Sequence, residues 1–152
     1  MARIGRVKEN YKPRDEYYTP DWIFSKMGLI FDLDPAHPPF ATSVPCAYYY
    51  TKEQDGLNQK WFGSVWMNPP FSESKRWVHK FMEHRNGVAL LPFAKSQWMT
   101  DIWNDAEAIT VLPYNIRFSY EGKLNGSIFL PVGLFAYGQE HVKALDKIGV
   151  VR

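Results

Sequence analysis

The sequence predicts a three-layer α/β domain with a mostly parallel sheet and a C-terminal antiparallel hairpin, and three observations carry that prediction. Strand-like and helix-like apolar patterns alternate from residue 20 to residue 113, the order that builds a parallel sheet through crossover helices. GVALLPF, residues 87–93, is an almost unbroken apolar run, as expected of a strand covered on both faces. RFSYEGKLNGSIFLPVGLFAYG, residues 117–138, instead reads as two extended segments joined by a polar turn containing Asn125 and Gly126, the mark of antiparallel pairing.

Residues 1–14 hold Arg3, Arg6, Lys8, Lys12 and Arg14 among few apolar residues and read as a basic N-terminal arm, either solvated or in contact with phosphates. The domain proper is assigned to 15–152. In YYTPDWIFSKMG, Thr19 is placed to cap a helix whose first position is Pro20; Ile23, Phe24 and Met27 share its apolar face and Gly28 ends it. LIFDLD (29–34) follows as a strand, then CAYYYT (46–51), across a loop holding Pro35, Pro38, Pro39 and Pro45. GSVWMN (63–68) is a third strand, stopped by Pro69 and Pro70, which have no N–H to give to a sheet. Ser72 caps the next helix, with Trp77, Val78, Phe81 and Met82 on its apolar face and Gly87 as terminator. Beyond GVALLPF, a helix over 96–105 gathers Trp98, Met99, Ile102 and Trp103 on one face, AITVLP (108–113) is a strand, and a short helix from about Gln139 to Ile148 closes the chain.

With 152 residues, 45% of them apolar, the chain fits one domain with a substantial core. No stretch approaches the roughly 18 uninterrupted apolar residues of a membrane span, and MARIGRVKEN lacks the apolar run of a secretory signal. A cytoplasmic location without membrane association is therefore expected. The single cysteine, Cys46, excludes an internal disulfide, and His37, His79, His84 and His141 show no paired ligand spacing, so no structural metal is expected. A net charge of +2 permits a polyanionic partner without requiring one. Six Trp and nine Tyr are many for this length; most belong in the core, and some are available to stack on bases.

In a parallel sheet, ligands bind beyond the carboxyl ends of the strands, which here carry FDLDPA, EQDGL and NPPF. Asp32, Asp34 and Asp55 are carboxylates able to hold ribose hydroxyls or to face a sulfonium. Asp32 and Asp34 alternate along one strand and so share a face, Asp34 lying nearer its end. Asp55 with Gly56 also fits a plain turn. The two prolines give a rigid extended exit that presents Asn68 and the carbonyl of Pro69 as acceptors beside the ring of Phe71. Two acceptors can take both hydrogens of an exocyclic amine, so the set suits S-adenosylmethionine beside an amino-bearing base. Pro45 and Cys46 raise a rival, a thiolate attacking cytosine C5, but no nearby residue supplies the helpers a thiolate needs, and Cys46 reads as a small core residue. A non-enzymatic single-strand nucleic-acid binding module would use the aromatic plates and basic residues. It leaves the strand-end acids without a role.

The segments YYTPDWIF, GLIFDLDPA, DGLNQKWFGSVWMNPPFS, LLPFAKSQW, IRFSYEG and NGSIFLPVGLFAYG, in this order, resemble the phage-type, Dam-like DNA N6-adenine methyltransferase family over residues 15–138. The block from DGL to NPPF is the most specific part, since a lone NPPF also serves RNA adenine and protein glutamine methyltransferases. The resemblance implies a Rossmann-like methyltransferase fold, S-adenosyl-L-methionine as cofactor and an adenine in DNA as target, in a bacterial host cytoplasm if the chain is phage- or prophage-encoded. It places Tyr18, Thr19, Pro20, Asp32, Asp34, Asp55 and Gly56 beside the cofactor. It makes Asn68, Pro69, Pro70 and Phe71 the catalytic tetrapeptide, with Asn68 and the Pro69 carbonyl accepting from the adenine N6 amine and Phe71 stacking on a base flipped from the duplex.

Two departures accompany the resemblance. DLDPAHPPF has no glycine-rich turn, which a sulfonium cofactor without phosphates tolerates. Position 71 is Phe where related tetrapeptides often carry Tyr, and stacking needs only the ring. Lys75, Arg76, Lys95 and Arg117 follow strand ends or helix starts and are candidates for phosphate contact. No segment is left for a separate target-recognition domain, so base reading falls to the arm and to short loops such as 35–45 and 119–127. A short or relaxed adenine-containing site is expected, read by one chain or by a homodimer.

Overall fold

The computed structural model describes residues 19–39, 43–113, 117–120, 123–127 and 131–152, with backbone alone for 117–120 and 123–127. The basic arm and Tyr18 lie outside the described residues. In chain order the elements are α1 (Asp21–Met27), β1 (Phe31–Asp34), β2 (Cys46–Tyr49), β3 (Val65–Met67), α2 (Ser74–His84), β4 (Gly87–Pro92), α3 (Gln97–Asp105), β5 (Ala108–Val111), β6 (Arg117–Tyr120), β7 (Lys123–Ser127), β8 (Val132–Tyr137) and α4 (Gln139–Leu145). Six strands form one sheet in the order β2-β1-β3-β4-β8-β5, while β6 and β7 pair in a separate two-stranded sheet. Neighbours from β2 to β4 are parallel, and β8 runs antiparallel between β4 and β5. No helix of the described residues is long and apolar enough to cross a membrane.

Successive residues of the central strands enter two different cores, which is why their sequences are apolar without alternation. Trp66, Val88, Leu90, Leu134 and Ala136 pack with Ile23, Phe24 and Met27 of α1 and with Ala144 and Leu145 of α4. Val65, Met67, Ala89, Leu91 and Phe135 pack with Trp77, Val78 and Phe81 of α2 and with Met99 and Ile102 of α3.

Several local expectations are corrected. Thr19 makes no capping bond, and Pro20 is itself the N-cap of α1, in extended conformation. Gly28 does end that helix, at φ 66. Ser72 falls inside a 3-10 turn over Phe71–Glu73, closed by Glu73 N–H donating to the Pro70 carbonyl (3.0 Å), so α2 begins only at Ser74, whose hydroxyl donates to the Phe71 carbonyl. The rigid Pro-Pro exit forces this tight first turn. Arg85, at φ 55, ends α2 instead of Gly87. Gly87 opens β4 at φ 147, where a Cβ would collide with the Val65 backbone; it is a close-approach glycine, not a helix stop. Trp103 does not join the buried face of α3 but stands 39% exposed, beneath the Arg152 guanidinium. Asn125 and Gly126 lie within β7, and β6 pairs with it through Tyr120 and Lys123, leaving only two residues between the strands.

One polar network braces the α2–α3 side. Tyr137 O–H donates to Asp105 (2.6 Å), the Arg85 guanidinium donates to the same carboxylate (2.7 Å), and that guanidinium stacks over the Tyr137 ring. The Tyr137 hydrogen bond is the main cause holding the Asp105 carboxyl below its ordinary value of 3.8, with Arg85 assisting. Tyr137→Phe should cost about 1 kcal/mol in chemical denaturation at neutral pH. The Asp105 contribution is complete above the unfolded value and lost as pH falls through the lower folded one. Wild-type and variant stabilities should therefore converge in acid.

Candidate functional site

From β1 the chain goes to β2 on one side and returns to β3 on the other. The strand order reverses there, and a crevice opens beyond the carboxyl ends of β1 and β3. It forms a cleft of about 360 Å³ lined by Pro35, Ala36 and His37 after β1, by Thr51, Lys52, Asp55, Gly56 and Leu57 after β2, by Asn68 and Pro70 after β3, and by Glu73, Arg76 and Trp77 at the start of α2. A larger, more open hollow of about 630 Å³ lies between α2 and α3, bordered by His79, Glu83, Asp101 and Asp105. It contains no strand-end residue, and the smaller cleft is the better candidate on chemical grounds.

The NPPF exit behaves as its sequence suggests. Pro69 is buried, Pro70 is extended (φ −59, ψ 124) and forms part of the cleft wall, and Asn68 is half-buried. The Asn68 Nδ2 donates to Thr19 Oγ1 at 3.2 Å. That contact gives the buried Thr19 a role sequence reasoning did not assign: it holds one end of the amide, fixing which way the side-chain carbonyl points. Phe71 opens the 3-10 turn, half-buried against the core cluster that includes α1. It does not line the cleft.

The three acids part company. The amides of both Asp32 and Leu33 donate to the Ser64 carbonyl (2.8 and 3.1 Å), a bulge in β1. Phe31 consequently belongs to one core and Leu33 to the other, so the period-two argument that Asp32 and Asp34 share a face does not carry across this strand. Asp32 is exposed, and its carboxylate accepts from the Ser64 N–H (2.8 Å), away from the cleft. Asp34 is 2% exposed; it accepts from the Ala36 N–H (3.2 Å) and pairs with His37 Nδ1 (2.7 Å). Burial pushes its carboxyl up, opposed by His37 and the Ala36 amide. Asp34 therefore sits behind the cleft and shapes the 35–37 wall. Asp55 alone among the three lines the cleft, at φ 58, with its carboxylate accepting from the Asn58 amide.

Gly56 is buried in the cleft wall, where a Cβ would collide with the Pro35 carbonyl oxygen and press on Trp77. Around it the DGLNQKW segment is pinned from below. Trp61 Nε1 donates to the Gly56 carbonyl (2.9 Å), and Lys80 of α2 donates to the Leu57 and Gln59 carbonyls (2.8 and 2.6 Å). Sequence reasoning missed His37, Trp77 and Lys80. A histidine three residues after a strand-end acid was a legible signal for the first. Trp77 read as core, which it is, but it also lines the cleft and its buried indole N–H has no hydrogen-bond partner among the described residues. Arg76, expected at phosphates, borders the cleft, while Lys75 and Lys95 are exposed. The Arg117 side chain and the loop about 121 lie outside the described residues.

Neither a curated protein nor a solved structure matches the chain. The model of the DNA N-6-adenine-methyltransferase (Dam) family matches residues 7–128, a span that holds the cleft-lining segments and the NPPF exit, and the chain belongs to that family.

Proposed function

We propose that this chain transfers a methyl group from S-adenosyl-L-methionine to the N6 amine of an adenine flipped from DNA, on a Rossmann-like frame with helices on both faces of its sheet. The observation that carries this reading is the convergence of Asn68, oriented by Thr19, with Asp55 and Gly56 in one cleft where the strand order reverses. The cleft suits the cofactor on its own terms. Gly56 lets the DGL loop close against Pro35 and Trp77 to form the wall, the orphaned Trp77 N–H offers a donor, and Asp55 offers a carboxylate for a hydroxyl. Bound S-adenosylmethionine would supply a methyl group made electrophilic by its sulfonium.

The protein's part is positioning and electrostatics. The Asn68 side-chain carbonyl and the Pro69 main-chain carbonyl accept the two amine hydrogens, drawing the nitrogen lone pair out of conjugation with the ring and toward the methyl. Pro69 and Pro70 keep those acceptors from moving, so little reorganisation is needed at the moment of transfer. Phe71 stacks on the displaced base. Thr19 orients Asn68 from just before α1, Pro20 starts that helix beside the cofactor, and Asp34 fixes the wall through Ala36 and His37. Arg76 and the basic arm serve the DNA backbone, which predicts binding that weakens steeply with salt. The family match favours DNA over RNA adenine or protein glutamine as the acceptor.

Incubation with DNA and S-adenosylmethionine, digestion to nucleosides and mass analysis test the reading. N6-methyladenine is expected; 5-methylcytosine, or no methylation by a chain that binds the cofactor, would overturn it. At position 71, Tyr or Trp should retain single-turnover activity, whereas Phe71→Ala should lose about 1 to 3 kcal/mol of transition-state binding. Equal rates for Ala and Phe would exclude stacking.

A further inference from the structure

Where β1 and β2 meet, the fold assembles a set of ligating atoms that the linear sequence scatters. Asp34 ends β1, the chain turns at Pro35 and Ala36, and His37 returns onto Asp34 while Cys46 begins the neighbouring strand. One ligand atom from each of Asp34, His37 and Cys46 lies within 4.8 Å of the others. The expectation of no metal rested on linear spacing, which does not register this convergence.

We propose that Asp34, His37 and Cys46 bind a divalent transition-metal ion of the zinc class, which ties the inner wall of the cleft to the edge of the sheet. Sulfur, imidazole nitrogen and carboxylate oxygen together suit zinc or cobalt(II) over magnesium or calcium, which prefer oxygen alone. Three protein donors leave a fourth position for water. Bonds of about 2.0–2.3 Å place tetrahedral donors roughly 3.3–3.7 Å apart, so the side chains need close in by only about 1 Å.

The surroundings favour a cation. Asp34 is almost fully buried, its carboxylate met by the Ala36 N–H and the His37 ring, and Cys46 stands half-buried beside the pair. A bound metal ion would release the thiol proton to solvent and replace the Asp34–His37 hydrogen bond with two metal bonds. His37 is already held in place, its main-chain N–H donating to the Tyr50 carbonyl (2.9 Å) and its ring stacked on Tyr49 at 4.2 Å. His37 also lines the cleft, so the ion joins the edge of the sheet to the ligand wall. The inference does not depend on methyl transfer.

Cobalt(II) titration of the untagged full chain, stripped with chelator and followed by visible absorption, tests it. Saturation at one equivalent is expected, with the intense d–d bands of a four-coordinate ion and a sulfur-to-cobalt charge-transfer band, both abolished by zinc(II). Cys46→Ser, which keeps the side-chain volume, should remove the charge-transfer band. His37→Gln should weaken cobalt binding by at least the roughly tenfold to hundredfold lost when supporting groups are removed. Circular dichroism of each variant separates lost binding from lost fold, and the wild-type spectrum decides even if both variants unfold. No binding, or cobalt binding without a sulfur band as solvent-facing His79 would give, overturns the site. S-adenosylmethionine titration of the same samples reports separately on the methyltransferase reading: a chain that binds cobalt but not cofactor keeps the metal site and loses the activity.

Discussion

Asn68→Ala should abolish methyl transfer, with single-turnover rates falling at least about 100- to 1,000-fold, the usual loss when one preorganised hydrogen-bonding group is removed from a transition state. Calorimetric affinity for S-adenosylmethionine should change little. The reason is geometric: the amide is fixed at the carboxyl end of β3 by its bond to Thr19, and in the proposed reaction its carbonyl acts on the acceptor amine, not on the sulfonium. Thr19→Val supplies the control. It removes the hydroxyl while keeping the bulk, so it should lower the rate less than the loss of Asn68 itself, and Thr19→Ser should restore it. Substantial turnover by Asn68→Ala would sink the catalytic assignment, whereas an equal loss of cofactor binding would move Asn68 into the cofactor subsite.

Gly56→Ala should have the opposite signature, loss of cofactor binding before loss of chemistry. The added methyl has no free space, since it meets the Pro35 carbonyl on one side and Trp77 on the other. Neither neighbour yields easily: Pro35 is a buried turn residue after β1 and Trp77 is 7% exposed. Overpacking of this kind costs about 1–3 kcal/mol, and here the strain falls on the wall between the 35–37 turn and the DGL loop. We expect a lowered melting temperature together with S-adenosylmethionine affinity reduced beyond detection by calorimetry. Wild-type affinity in a folded Gly56→Ala chain would remove this wall from the site.

The parts of the fold that were legible in the sequence are those governed by local rules. GVALLPF announced a strand covered on both faces because its alternate residues enter two cores, and Gly28 announced a helix end because its left-handed conformation favours glycine. The tetrapeptide was legible for the same reason, since two prolines stop a strand wherever they occur. What escaped is decided at a distance. Thr19 looked like a cap but is recruited by Asn68, 49 residues away. Asp32 looked like a ligand residue, yet a single bulge hands its carboxylate to Ser64. Asn125 and Gly126 carry turn chemistry, but the pairing of Tyr120 with Lys123 places them inside a strand. Trp77 read as an ordinary apolar position and Lys80 carried no signal; only the packed loop shows one lining the cleft and the other holding the loop.

Lys80 has one more effect. Helix α2 starts immediately after the tetrapeptide, and one side chain on it grips the loop that carries Gly56 through two carbonyls. The two halves of the cleft are thus mounted on one rigid rod. If cofactor and DNA occupy the two halves as proposed, the two should not bind independently. Whatever factor the cofactor then contributes to DNA affinity, DNA must return to cofactor affinity, and Lys80→Met, which frees the two carbonyls, should reduce both by the same factor.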